Sequence, residues 1–175
     1  MTDQTNLPDR SDRLEQPDLS DQPATLPLRR SLSTDGPWEQ AFGYSRALRT
    51  GDRIVVSGCT SVVDREVQHP GDAAAQMGVA LDTAIGAIEA LGGDIGDVIL
   101  TRMYVVNRSD VAAVGRVHGE RFAEVRPAAT MVLVVGLLDE QMLVEVEVEA
   151  HVVSAGPGST GQRATAPAGD IGGRS

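Results

Sequence analysis

Residues 143–150 read LVEVEVEA, an alternation that fits a strand. Successive side chains on a strand point to opposite faces, so Val144, Val146 and Val148 go one way and Glu145, Glu147 and Glu149 the other. The valine face has to be covered. The carboxylate face ordinarily meets water, because charged groups are seldom buried without a partner. Same-side neighbours on a strand stand only about 7 Å apart. If another subunit enclosed that face the carboxylates would repel, and one of them would need an arginine partner or a raised pKa. A glutamate so placed can hold or activate a water.

The rest of the chain supplies strands and helices to go with it. YSRALRTGDRIVVSG has the form of a hairpin, with strands over 44–48 and 52–57 about a Thr-Gly-Asp turn. VVDREVQHPGD is a loop ending at Asp72, which is placed to cap a helix over 73–91. There Met77, Leu81, Ala84, Ile85 and Ile88 form one apolar stripe, and Gly92-Gly93 stops it. Residues 97–106 are rich in β-branched and aromatic side chains and predict a third strand. Ser109 or Asp110 then caps a second helix that runs to Pro127, with Val111, Val114, Val117, His118 and Phe122 at helical spacing and Gly115 and Gly119 weakening it. Strands over 129–135 and 142–153, joined by GLLDEQ, complete the order β-β-α-β-α-β-β. That order predicts an α+β sandwich with helices on one face of the sheet. The apolar surface left uncovered predicts an oligomer.

The 175 residues suit one domain with tails. Residues 1–28, rich in Asp, Gln, Pro and Ser, and 154–175, rich in Gly, Ala and Pro, read as disordered tails around a folded unit over 30–153. The net charge is −10, and all 15 basic residues are arginines. No basic run offers a nucleic-acid surface. Without lysine there is no Schiff base, no covalently held pyridoxal phosphate and no Walker-type phosphate loop. Cys59 is the only cysteine, so no intramolecular disulfide and no thiolate-rich zinc site can form. Neither a signal peptide nor a membrane span is visible, and a soluble, cytoplasmic protein is expected.

Candidate chemistry is sparse. Tyr44, Arg46 and Arg102 are further polar residues of the strand segments, and Arg102 shares a face with Leu100 and Tyr104. Its stem can simply snorkel over the core rim. The Gly58 and Cys59 amides, at a strand end, could bind an oxyanion, although a glycine there more often serves a turn. Nothing in the sequence near Cys59 would lower its pKa. His118 reads as a packed or surface histidine, and His69 and His151 are isolated. No metal-ligand spacing is present, and no cofactor is expected.

Taken together, GYSRALRTGDRIVVSG, GVALDTAIGAIEALGG, DVILTRMYVV, HGERF and RPAATMVLVVGLLDEQMLVEVEVEA resemble the Rid family, the reactive-intermediate deaminases also called YjgF proteins, over residues 36–153. The resemblance implies a chorismate-mutase-like fold, a homotrimer whose sheets form a central barrel, and clefts between subunits. It also implies hydrolysis of enamines and imines such as 2-aminoacrylate, without metal or cofactor. By the same resemblance the cleft tyrosine is Tyr44, the Ser-Gly strand end is Ser57 and Gly58, and the water-positioning glutamate is Glu145. The family's Pro-x-Arg-Ser/Thr motif, whose arginine grips the substrate carboxylate, here reads Pro127-Ala128-Ala129-Thr130. The arginine is replaced by Ala129.

An alanine cannot make the forked, charge-assisted pair, a loss of about 1.5 to 3 kcal/mol. Activity on 2-aminoacrylate is therefore not expected. Arg126, Arg102 or Arg46 could approach the cleft from elsewhere, and Thr130 and Met131 would enter it beside Ala129. The expected function is hydrolysis or rearrangement of another imine- or enamine-type metabolite, with Glu145 handling water or a proton and Tyr44 orienting the ligand. Ser57, Gly58 and Cys59 would help bind it. A metabolite-binding protein without turnover and a cyclisation or dehydration catalyst are the alternatives.

Overall fold

A computed structural model describes residues 28–34 and 37–153. The two proposed tails lie outside the described residues, apart from Leu28. The elements run β1 (Arg29–Leu32), α1 (Pro37–Phe42), β2 (Ala47–Thr50), β3 (Arg53–Cys59), β4 (Val62–Val63), β5 (Glu66–Val67), α2 (Ala73–Ala90), β6 (Val98–Val105), α3 (Val111–Arg121), β7 (Ala128–Leu133) and β8 (Val144–His151), with single 3-10 turns before β6 and before α3. The seven elements expected from the pattern are all present. To them the structure adds β1, α1 and, within the loop before α2, the short β4–β5 hairpin.

Six strands form one sheet in the order β1-β2-β3-β8-β6-β7. Its neighbours are antiparallel except β6 and β7, which run parallel. The alternation in β8 does what it dictates. Val144, Val146, Val148 and Ala150 are buried with α2 in the core, while the three glutamates lie on the other face. Asp72 caps α2 as expected, its side chain accepting from the Ala75 amide, and Gly92 with φ +81° ends the helix by donating to Glu89 O.

The second predicted helix is shorter than its pattern. It stops at Arg121, because the Val125 and Arg126 amides both turn back to Phe122 O and Arg126 takes φ 52° before Pro127. Neither Ser109 nor Asp110 caps α3 with its side chain. The Asp110 carboxylate instead accepts from Asn107 Nδ2 at 3.0 Å and from Ser109 Oγ at 3.4 Å, while the 3-10 turn Arg108–Asp110 leads into the helix.

α2 and α3 cover one face of the sheet. The other face carries exposed Val55 and Val132 beside the glutamates. A buried glutamine ties the two sides of the fold together. Gln76 on α2 donates to His69 O at 3.2 Å and to Gln141 O at 2.8 Å, and its Oε1 accepts from the Leu143 amide at 2.8 Å. That clamp fixes the segment entering β8 and so sets where Glu145 begins the row of carboxylates.

Candidate functional site

The three glutamates of β8 occupy three different environments. Glu149 is held in a fork by Arg53, with Nε to Oε1 at 2.7 Å and Nη2 to Oε2 at 3.0 Å. Glu147 faces the Arg102 guanidinium at 3.5 Å and takes a hydrogen bond from Tyr104. Among the described residues, none donates a hydrogen bond to Glu145 and none forms an ion pair with it. Its carboxylate lies against Gly58, where a β-carbon would come within 2.7 Å of its carboxyl carbon. Burial pushes the Glu145 carboxyl above the usual carboxylate range, the neighbouring Glu147 charge adds to this, and Arg46 opposes it. Of three chemically identical side chains, one is left desolvated and unclamped.

Gly58 offers that space because of local backbone geometry. β3 pairs with β8 through Val56↔Val148 and Cys59↔Val146, with a register shift between them. The irregularity turns Ser57 and Gly58 out of the simple alternation, as bulges do when they re-aim a strand near a site. Arg46 holds it in place from just before β2, donating from Nη1 to Gly58 O at 2.6 Å and to Cys59 Sγ at 3.4 Å. Arg46 is in turn oriented by Glu39 on α1, with Nε 3.9 Å from Oε1. The Glu39 carboxylate is buried and accepts from Ser33 Oγ, Thr34 Oγ1 and the Thr34 amide. Burial alone would raise its pKa, but those hydrogen bonds, with Arg46 behind them, hold it below the usual range.

Beside Ser57 a cavity of about 320 Å³ opens on the same side of the sheet, lined by Arg29, Gly43, Tyr44, Ser45, Leu48, Val55 and Ser57. Tyr44 and Ser57 are thus brought together, with Gly58 next along β3 and the Glu145 carboxyl of β8 against it. The Ser57 hydroxyl donates to Ser45 O at 2.8 Å. Cys59 points into the core. Burial raises its thiol pKa despite Arg46, which leaves it unsuited to act as a thiolate.

The residues of β7 divide between the two faces. Thr130 pairs with Arg102, which pairs with Glu147, so this row lies on the open side. Ala129 pairs with buried Thr101 and Met131 with buried Met103, in rows that belong to the helix side. Met131 is packed against the core, and Thr101 Oγ1 is hydrogen-bonded to His118 Nε2 at 2.9 Å. Within one chain, Ala129 is therefore not beside Glu145. The row of Glu145 is that of Tyr104 and Val132, three residues or about 10 Å along the strand. Arg126 is exposed in the turn before β7 and among the described residues forms no ion pair. His118 is half-buried, its ring tilted against that of Phe122 at 4.8 Å, and its pKa is lowered by burial.

Arg29, Glu39, Tyr104 and Gln76 carry parts of this arrangement that the sequence did not single out. Arg29 fell at the edge of the expected tail, and Glu39 is joined to Ser33 and Thr34 by no periodic pattern. Among the described residues there is no group of three or more His, Cys, Asp and Glu that could hold a metal ion, and no helix long and apolar enough to cross a membrane.

An α+β sheet has its helices on one face and, on the other, a desolvated glutamate beside a Ser-Gly strand end, which is the candidate site. The comparisons with known proteins give the family. The profile of the endoribonuclease L-PSP family matches residues 37–152. The chain is 43% identical over 122 residues to the uncharacterized protein SCO2049 of Streptomyces coelicolor, covering 70% of this chain and 91% of that one. It is 34% identical over 110 residues to the 3-aminoacrylate deaminase RutC of Acinetobacter baylyi, covering 62% and 86%. The crystal structure of Rv2704 from Mycobacterium tuberculosis, a member of the YjgF/YER057c/UK114 family, superposes with a TM-score of 0.65 at 38% identity, covering 71% of this chain and 100% of that one. The protein belongs to the L-PSP family, also called YjgF or Rid, and has its chorismate-mutase-like fold.

Proposed function

We propose that the protein hydrolyses a small imine or enamine other than 2-aminoacrylate, at clefts between the subunits of a homotrimer, with Glu145 as the group that moves the proton. The environment of Glu145 carries this reading. Its carboxyl is the one in the row that no arginine clamps, and a pKa raised by burial suits a group that both accepts and returns a proton.

In the hydrolysis, water adds to the carbon of the C=N bond while Glu145 takes a proton from that water. Glu145 returns the proton to the carbinolamine nitrogen, and as the C–N bond breaks and ammonia leaves, its carboxylate takes the hydroxyl proton and the carbonyl forms. An enamine enters the same sequence after protonation at carbon. Tyr44 and the Ser57-Gly58 turn border the ligand, and Arg46 keeps the turn in register. None of these steps calls for a metal. The open sheet face, with apolar Val55 and Val132 exposed, supports an assembly that covers it. A neighbour's β7 would bring its own Thr130 and Ala129 to this cleft.

Ala129 supports the exclusion of 2-aminoacrylate. A net charge of −10 and a row of carboxylates on the open face speak against an RNA substrate. The test is ammonia release from 2-aminoacrylate and from a panel of imines generated in situ, with wild type and Ala129→Arg. The reading expects wild type to be inactive on 2-aminoacrylate and active on another member of the panel, and the arginine variant to gain activity on 2-aminoacrylate. Wild-type turnover of 2-aminoacrylate at the level of arginine-bearing relatives contradicts it. Binding of panel carbonyl products without any turnover would instead make the protein a metabolite binder.

A further inference from the structure

The arginines around the open face are nearly all engaged. Arg53 is forked to Glu149, Arg102 faces Glu147, and Arg46 donates to Gly58 and Cys59. Arg29 differs. Among the described residues it makes no hydrogen bond and no ion pair, and it lines the cavity that holds Tyr44 and Ser57. The pairing of β1 explains how it gets there. Arg29 is partnered with Thr50, and Thr50 with Arg53, which puts it in a row on the open face, whereas Arg30 is partnered with Arg49 in the row of buried Ile54. Among the described residues, no carboxylate lines the cavity. An anion entering it meets an unneutralised guanidinium, a phenol and a serine hydroxyl, with Leu48 and Val55 as apolar walls.

We propose that Arg29, delivered by β1, holds the ligand's carboxylate in place of the arginine that β7 lacks at Ala129. The proposal rests on reading the open face as the ligand cleft, and it narrows the substrate class. Arg29 lies two strands across from Gly58 and, by register with Arg53, five residues along. At about 3.3 Å per residue and about 4.8 Å per strand, their Cα atoms are about 19 Å apart. Glu145 sits over Gly58, so a carboxylate gripped by Arg29 cannot be adjacent to a carbon attacked beside Glu145, even with the arginine extended inward. The substrate is thus a carboxylic acid whose imine or enamine carbon lies several bonds from the carboxylate, longer than the three-carbon 2-aminoacrylate.

The test uses 5-oxohexanoate, its neutral relative 5-oxohexanamide, and 2-oxobutanoate as carbonyl probes, titrated into the full-length protein by NMR. Wild type is expected to bind 5-oxohexanoate about tenfold or more tightly than the amide, the effect typical of a charge-assisted fork, and more tightly than 2-oxobutanoate. Arg29→Gln abolishes the preference for acid over amide, Arg29→Lys keeps part of it, and Arg30→Gln, the same charge change on the other face, leaves it intact. Equal binding of acid and amide by wild type, no binding of the acid, or an unchanged preference in Arg29→Gln overturns the proposal. Ammonia release separates it from the catalytic reading. Turnover with no dependence on Arg29 leaves hydrolysis standing and removes the role of Arg29. Arg29-dependent binding with no turnover of any imine does the reverse.

Discussion

Glu145 lies over Gly58 so closely that a β-carbon on the glycine would stand 2.7 Å from the glutamate's carboxyl carbon. Gly58 does not have a positive φ, so its backbone conformation is open to other residues. What the missing side chain provides is room for a carboxylate. A Gly58→Ala variant should therefore fold and should displace Glu145. Misplacing a reacting group by about 1 Å can cost about 100-fold in rate, and a loss of that order is expected in ammonia release on whichever imine the wild type turns over. In the Glu145→Ala background the added methyl meets no carboxylate, so the two substitutions should be strongly non-additive in urea-unfolding free energy. Additive effects would mean the contact is not what the glycine serves.

Desolvation of Glu145 has a consequence for stability against pH. Its folded-state pKa is raised, by burial first and by Glu147 second. The native state therefore holds this proton more tightly than the unfolded chain does. The stabilisation this confers is present below the unfolded carboxylate pKa and is lost as pH rises through the folded one. Glu145→Gln removes the titration, so the variant should be more stable than wild type near neutral pH, with the gap closing towards about pH 4. Urea titrations at several pH values measure this. A variant less stable than wild type at neutral pH would show that the charged carboxylate is well accommodated.

Gln76 is expected to matter far from where sequence reasoning looks for chemistry. It is fully buried, and its amide group serves His69 O, Gln141 O and the Leu143 amide. Gln76→Leu keeps the apolar stripe of α2 but strands those backbone groups, at a cost of about 2 kcal/mol or more. Hydrogen exchange should show the Leu143 amide losing protection before the centre of β8 does. Uniform loss of protection across the sheet would contradict a local clamp.

These residues show what the sequence could and could not disclose. The alternation of residues 143–150 was enough to place the valines inward and the glutamates outward, and the stripe from Met77 to Ile88 was enough for α2. The helical pattern past Arg121 misled, because periodicity does not register the turn that Phe122 O and Arg126 impose. The resemblance already singled out Glu145 among the three glutamates, but the physical difference between them needed neighbours distant in sequence. Arg53 and Arg102 neutralise two of them, and only the fold shows that Gly58 leaves the third uncovered. Glu39 was missed because its partners Ser33 and Thr34 carry no spacing signature, and β1 because its composition blends into the acidic, polar stretch before it.

The position of Ala129 shows a different limit. The resemblance implies an arginine where the sequence has Ala129, and the register of β7 puts Ala129 in the row of Thr101 and not in that of Glu145. In the proposed trimer its relation to the cleft depends on a second copy of the chain, a quantity no single-chain pattern encodes.

The central claim is that the three glutamates of β8 are not equivalent and that Glu145 carries the proton. Ammonia release from the best imine found for wild type, measured for Glu145→Gln, Glu147→Gln and Glu149→Gln at matched concentration of folded protein, tests it most directly. Loss of general acid-base catalysis typically costs about 100-fold or more, and that loss is expected for Glu145→Gln alone, while Glu149→Gln, which loses only the Arg53 pair, stays close to wild type. Glu145→Gln turning over at the wild-type rate would contradict the account.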